Sequence, residues 1–158
     1  MRDTNEMEIR FDSCSENEGF ARVAVAAFLT QLNPTVEEVS DVKTAVSEAV
    51  TNAVIHGYEG KTYKEDGTCR QIQIHCQIRK KTIQIQVSDE GVGIEDVQKA
   101  MEPMYTTKPE LDRSGMGFAF MEAFMDEVKV ESNPGRGTKV TMAKTIGKGR
   151  NIWTVQSH

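Results

Sequence analysis

The chain has 158 residues, 38% of them hydrophobic and 27% charged, which is one domain of ordinary globular composition and excludes both two independent cores and a disordered chain. A net charge of -5 argues against nucleic acid, whose binding draws on a basic surface. No apolar run approaches the roughly 18 residues of a membrane helix, no apolar signal region follows the N-terminus, and three cysteines without a CxxC suggest neither a disulfide framework nor a zinc site, so a cytoplasmic protein with reduced thiols and no membrane contact is expected.

Glu8 and Arg10 alternate with Ile9 and Phe11, which predicts a first strand over 7–11. Ser15 and Glu18 have the spacing of a capping box, and helical spacing follows over 20–32. A second capping box, Thr35 and Glu38 behind Pro34, opens a longer helix to about His56, where Gly57 stops it. Residues 59–70 carry two glycines and no period, and read as a loop. Ile72, Ile74, Cys76 and Ile78 alternate with polar partners, and the pattern resumes after Lys80-Lys81 with Ile83, Ile85 and Val87. This predicts an antiparallel hairpin with one buried face. A short helix over 95–101, a loop over 102–114, a helix over 117–126 and a strand pair over 128–132 and 138–143 complete the pattern. The expected architecture is a two-layer α/β sandwich, a mixed and mostly antiparallel sheet covered on one face by helices. A single domain over 1–145 would be followed by a polar tail over 146–158.

Four motifs could carry chemistry. Glu48, Asn52 and His56 form one polar ridge on the second helix, opposite Val39, Val42, Val46, Val50 and Ala53. Taken alone, such a ridge reads as a solvated face. Asp89-Glu90-Gly91-Val92-Gly93 follows a strand; an ionised carboxylate there is an acceptor only, suited to an exocyclic amine, although a plain turn has the same residues. Arg113-Ser114-Gly115-Met116-Gly117 runs into a helix, whose free N–H groups suit a phosphate; a cap and turn is the simpler alternative. Gly135-Arg136-Gly137-Thr138 is by itself a hairpin turn.

In this order the four boxes resemble those of the GHKL ATP-binding superfamily. Residues 20–29, 47–58 and 106–118 are similar to the sporulation anti-sigma-F family, whose members inhibit a sigma factor and act as serine kinases. The resemblance implies the Bergerat ATP-binding fold with ATP and Mg²⁺ as cofactors. It implies Asn52 as the Mg²⁺ ligand, Glu48 as the general base acting on the attacking hydroxyl, and Asp89 as acceptor from the adenine amine, with Thr138 at the same edge. Gly91 and Gly93 would shape that pocket. Residues 106–117 would form a lid in which Thr106, Thr107, Lys108 and Arg113 supply donors and cations, Arg113 reaching the γ-phosphate. Ser114, Gly115, Met116 and Gly117 would cradle the remaining phosphates. The implied partners are a sigma factor of the sigma-F type, an anti-anti-sigma factor of the STAS type that is phosphorylated on serine, and a second copy of the chain in a homodimer. Arg22, a lone charge within 20–29, would face both regulatory partners; the alternative is a snorkelling surface arginine. A general-stress anti-sigma kinase and a nucleotide-gated inhibitor without phosphotransfer are the alternative functions. The loop over 59–70 and the tail, with Trp153, depart from the family pattern.

Overall fold

The computed structural model describes residues 3–102 and 117–147. In chain order these form β1 (Thr4–Asp12), α1 (Glu16–Leu29) with a 3₁₀ turn (Thr30–Leu32), and α2 (Val36–Asn52), which runs into a π-helical turn (Ala53–Gly57). There follow β2 (Gln71–Arg79), β3 (Thr82–Asp89), α3 (Val97–Ala100), α4 (Gly117–Phe124), β4 (Glu127–Asn133) and β5 (Gly137–Thr145). One five-stranded sheet has the order β1-β2-β3-β5-β4, and all four pairings are antiparallel. The expected two-layer sandwich is therefore present, with α1 packed on α2, and α2 on α4 and β3.

The alternation read from the hairpin is realised residue by residue. Ile72, Ile74, Cys76 and Ile78 of β2 and Ile83, Ile85 and Val87 of β3 are buried on the helix side. They meet Val42, Ala45, Val46, Ala49 and Val50 of α2, the apolar stripe of an amphipathic helix whose other face is polar. Burying such a side chain contributes about 1.5–3 kcal/mol each, and this seam positions α2 across the sheet.

The two capping boxes differ. At α2 the Thr35 hydroxyl accepts from Glu38 N–H at 3.0 Å, and Glu38 Oε1 accepts from Thr35 N–H at 2.9 Å. At α1 the box does not form: Ser15 has helical dihedrals and makes no side-chain cap bond, and the Glu18 carboxylate is drawn to α2 by the Thr51 hydroxyl at 3.1 Å. Glu38 is buried because it serves a second purpose, accepting the Gly147 N–H at 2.8 Å. Ile146 is also buried and donates its N–H to the Lys81 carbonyl at 2.8 Å, so the folded body continues past Thr145 to Gly147.

Candidate nucleotide site

The site grows from the point where α2 changes hydrogen-bonding pattern. The helix predicted to continue to His56 as α-helix instead closes in a π turn over Ala53–Gly57, a form that concentrates at functional positions. The turn brings the backbone of Gly57 against the end of β3. A Cβ on Gly57 would lie 2.8 Å from the Asp89 carboxylate, and one on Gly91 would collide with the Gly57 carbonyl. Val92 N–H donates to that same carbonyl at 2.9 Å. Glycine is thus a packing requirement at both positions, set at Gly91 by direct contact of two backbones and at Gly57 by the Asp89 carboxylate.

Asp89 is the buried acid of this floor, 9% exposed. Its Oδ1 accepts the Gly91 N–H at 2.8 Å, and the Thr138 backbone N–H also serves the carboxyl. Burial outweighs both bonds and pushes the Asp89 pKa up to about 6. Thr138 lies opposite Asp89 in the β3–β5 register, and its hydroxyl is 2.8 Å from Ser132 Oγ. Ser132 also accepts the Ile94 N–H at 2.7 Å, and so ties the segment after Gly93 to β4. Gly93 itself, with φ 79°, passes against the Asn133 carbonyl.

Tyr58, 5% exposed, stands behind the floor. Its hydroxyl accepts the Glu90 N–H at 2.7 Å and donates to the Gln71 carbonyl at 2.7 Å, while the Arg70 guanidinium lies 5.7 Å from its ring centroid. Neither Tyr58 nor Ser132 is marked as a site residue by sequence pattern. Tyr58 follows the Gly57 helix stop, a local signal of a kind, but nothing local marks Ser132.

At the last residue of α2, directly before the π turn, the Asn52 carboxamide meets α4. A Cβ on Gly117 would lie 2.8 Å from Asn52 Nδ2 and 3.0 Å from Oδ1. The polar ridge therefore reaches Gly117, the first described residue of α4. Glu48, half-buried, lies one turn nearer the start of α2. It also lines a groove of about 590 Å³ between α1 and α2, together with Arg22, Pro34, Val39 and Lys43. Arg22 is 42% exposed and pairs with Glu18 at 3.7 Å. Asp89, Gly91, Gly93 and Thr138 thus share one wall, Asn52 and Gly117 another, and Glu48 and Arg22 one groove. Thr106, Thr107, Lys108, Arg113, Ser114, Gly115 and Met116 lie outside the described residues.

A family model for the histidine kinase-like ATPase domain matches residues 14–144. The chain is 57% identical over 142 residues to an anti-sigma F factor of Clostridium novyi, a match covering 90% of this chain and 95% of that protein. The chain belongs to the anti-sigma F factor family. Other members of this family are similarly close: those of Oceanobacillus iheyensis and Pasteuria penetrans are 51% and 52% identical, covering 94% and 96% of this chain and 98% and 97% of theirs. In fold the chain is similar to the solved RsbU and RsbW domains of Rv1364c from Mycobacterium tuberculosis, with a TM-score of 0.61 at 19% identity, covering 90% of this chain and 32% of that one. By its match to that family model, the domain is a nucleotide-binding ATPase of the histidine kinase-like type. Among the described residues no helix is long and apolar enough to cross a membrane.

Proposed function

We propose that the protein binds and inhibits a sigma factor of the sigma-F type, and that with Mg²⁺ and ATP it phosphorylates a serine of a STAS-type anti-anti-sigma factor, which then releases it to hold sigma. The observation that carries the catalytic half is the proximity of Asn52 to Gly117, which supports a neutral oxygen ligand beside the glycines that would cradle the phosphates. An amide oxygen fits a hard cation such as Mg²⁺; when bound, the ion would draw charge from the phosphate oxygens.

Asp89 would select adenine. Its carboxylate accepts and cannot donate, and its two backbone donors fix the orientation in which it meets an exocyclic amine. Thr138 would stand at the same edge, with its hydroxyl placed by Ser132. Gly91 and Gly93 would keep the rim low enough for a flat base. The lid residues Thr106, Thr107, Lys108, Arg113, Ser114, Gly115 and Met116 would supply donors to the phosphates, Arg113 reaching the γ-phosphate.

Glu48 would orient the serine hydroxyl and take its proton as the new ester bond forms. Its place on the α1–α2 groove supports this role, since an incoming segment lying along Arg22 and Val39 would meet Glu48 in the same groove. Arg22 would contact both regulatory proteins, so that they compete for one surface. A homodimer would bury the exposed apolar positions Phe20 and Val23 of α1, which are 53% and 61% exposed.

The test incubates the chain with Mg²⁺, γ-labelled ATP and an anti-anti-sigma protein, with Glu48→Gln run in parallel. Label on a serine of the partner, lost in the variant while sigma inhibition survives, is expected. Nucleotide binding without label would leave a nucleotide-gated inhibitor in its place.

A further inference from the structure

Cys14 follows the end of β1, and Cys69 precedes the start of β2, its antiparallel neighbour. The register pairs Asp12 with Gln71 and continues one step beyond the strands, where the Ser13 N–H donates to the Arg70 carbonyl at 2.7 Å. Cys14 and Cys69 are the next residues on either side of this bond, where the ladder ends: the Cys14 N–H turns back to the Asp12 carbonyl at 2.9 Å and Cys69 is bridged to Tyr63. A disulfide needs Cα atoms about 4.4–6.8 Å apart, a span within reach of two chain segments that leave one hydrogen-bonded pair. Both side chains are half-buried free thiols. The Cys69 thiol bonds the Asp12 carboxylate and interacts electrostatically with Cys14, so the two sulfurs share one environment.

We propose that Cys14 and Cys69 form a redox-modifiable pair that closes to an intrachain disulfide by exchange with a low-molecular-weight disulfide. The Cys14 thiolate attacks one sulfur of RS–SR, and RS⁻ leaves and takes up a proton. A mixed disulfide remains on Cys14. The Cys69 thiol then gives its proton through the Asp12 carboxylate to solvent and attacks the Cys14 sulfur, expelling the second RS⁻. Two protein thiols are oxidised and one RS–SR is reduced to two RSH. Burial, with Asp12 adding to it, pushes the Cys69 thiol up, which assigns the first attack to Cys14 and the resolving step to Cys69.

The bond would fasten two parts of the site. Cys14 lies two residues before α1, whose Glu18 accepts from the Thr51 hydroxyl of α2. Cys69 adjoins Arg70 and Gln71, the residues that carry Tyr58 behind the nucleotide floor. Cys76 provides an internal reference: it is buried on the inner face of β2, and burial pushes its thiol up to about 12, so it does not react in the folded chain.

The experiment equilibrates the full chain in buffers of stepped glutathione to glutathione disulfide ratio, quenches exchange with acid, blocks the remaining free thiols by alkylation in denaturant and maps the digested peptides by mass. A linked peptide pair carrying Cys14 and Cys69, with Cys76 alkylated throughout, is expected. The oxidised form should also unfold at higher urea than the reduced form, the difference vanishing in Cys14→Ser and in Cys69→Ser. In Cys69→Ser, Cys14 should accumulate a glutathione adduct that the natural sequence resolves. Stable adducts on both cysteines without a linked peptide, or thiols that stay free at every ratio, would overturn the pair. An unchanged urea midpoint on oxidation would overturn its fastening role.

Discussion

Gly117 opens α4 directly against the carboxamide of Asn52, so close that a Cβ would lie 2.8 Å from Nδ2. The group that must give way is the far end of a side chain, which rotates at small cost, so Gly117→Ala should fold. The displaced carboxamide can no longer face the α4 N-terminus, and affinity for Mg·ATP should fall by about tenfold or more, equivalent to about 1.4 kcal/mol. Titration calorimetry with and without Mg²⁺ reads this. Equal losses in the two conditions would remove Asn52 from the metal.

Asp89 predicts a pH window. Its folded pKa, about 6, lies above the ordinary 3.8, so between these values the folded chain holds a proton that the unfolded chain has lost. Stability is greatest below about 4, declines as pH rises towards about 6 and is level above it, a span of about 3 kcal/mol at 1.36 kcal/mol per unit. Urea unfolding from pH 4 to 8 should show this slope in the natural sequence and lack it in Asp89→Asn. Adenine nucleotide, which needs the ionised acceptor, should bind more weakly as pH falls through about 6. Affinity independent of pH across that interval would exclude Asp89 as the acceptor.

Tyr58→Phe removes a hydroxyl that serves Glu90 N–H and the Gln71 carbonyl at once. Both backbone groups lose a buried partner, and the expected cost is about 1–3 kcal/mol. The loss should appear as a lower urea midpoint, and amide exchange should quicken at Glu90 while the β1–β2 ladder keeps its protection.

The two caps make a matched pair. Thr35→Ala breaks a formed capping box and should cost about 1 kcal/mol. Ser15→Ala removes a hydroxyl with no capping bond and should be close to neutral by the same thermal unfolding measurement.

These caps also show where sequence pattern is sufficient. Thr35 and Glu38 satisfy each other over three residues, so local spacing alone contains the whole interaction. Ser15 and Glu18 have the same spacing, but Thr51 competes for the glutamate, and that competition exists only after α1 has packed on α2; Arg22, one turn along α1, adds a local one. The strands of the hairpin are legible because the period of two coincides with burial at every step. β1 is three residues longer at its start than its alternation indicates, since Thr4, Asn5 and Glu6 are held by backbone pairing with Arg79, Ile78 and Gln77, which side-chain pattern does not report. Asp89 and its glycines are visible as a motif, whereas Ser132 and Tyr58 join it through contacts between residues far apart in the chain. The π turn is likewise silent in the sequence, because Ala53-Val54-Ile55-His56 suits either helical form.

The insertion of β5 between β3 and β4 imposes an order on assembly during synthesis. When β3 and β4 have left the ribosome they have no bond to each other, and the β3 edge stays open until β5, made after both, slides between them. Thr138, which arrives with β5 opposite Asp89, is therefore among the later pieces of the nucleotide wall to be delivered. A nascent chain that already carries Glu48, Asn52 and Asp89 still lacks the strand that closes the pocket, so nucleotide retention reports completion of the sheet rather than presence of the acidic motif.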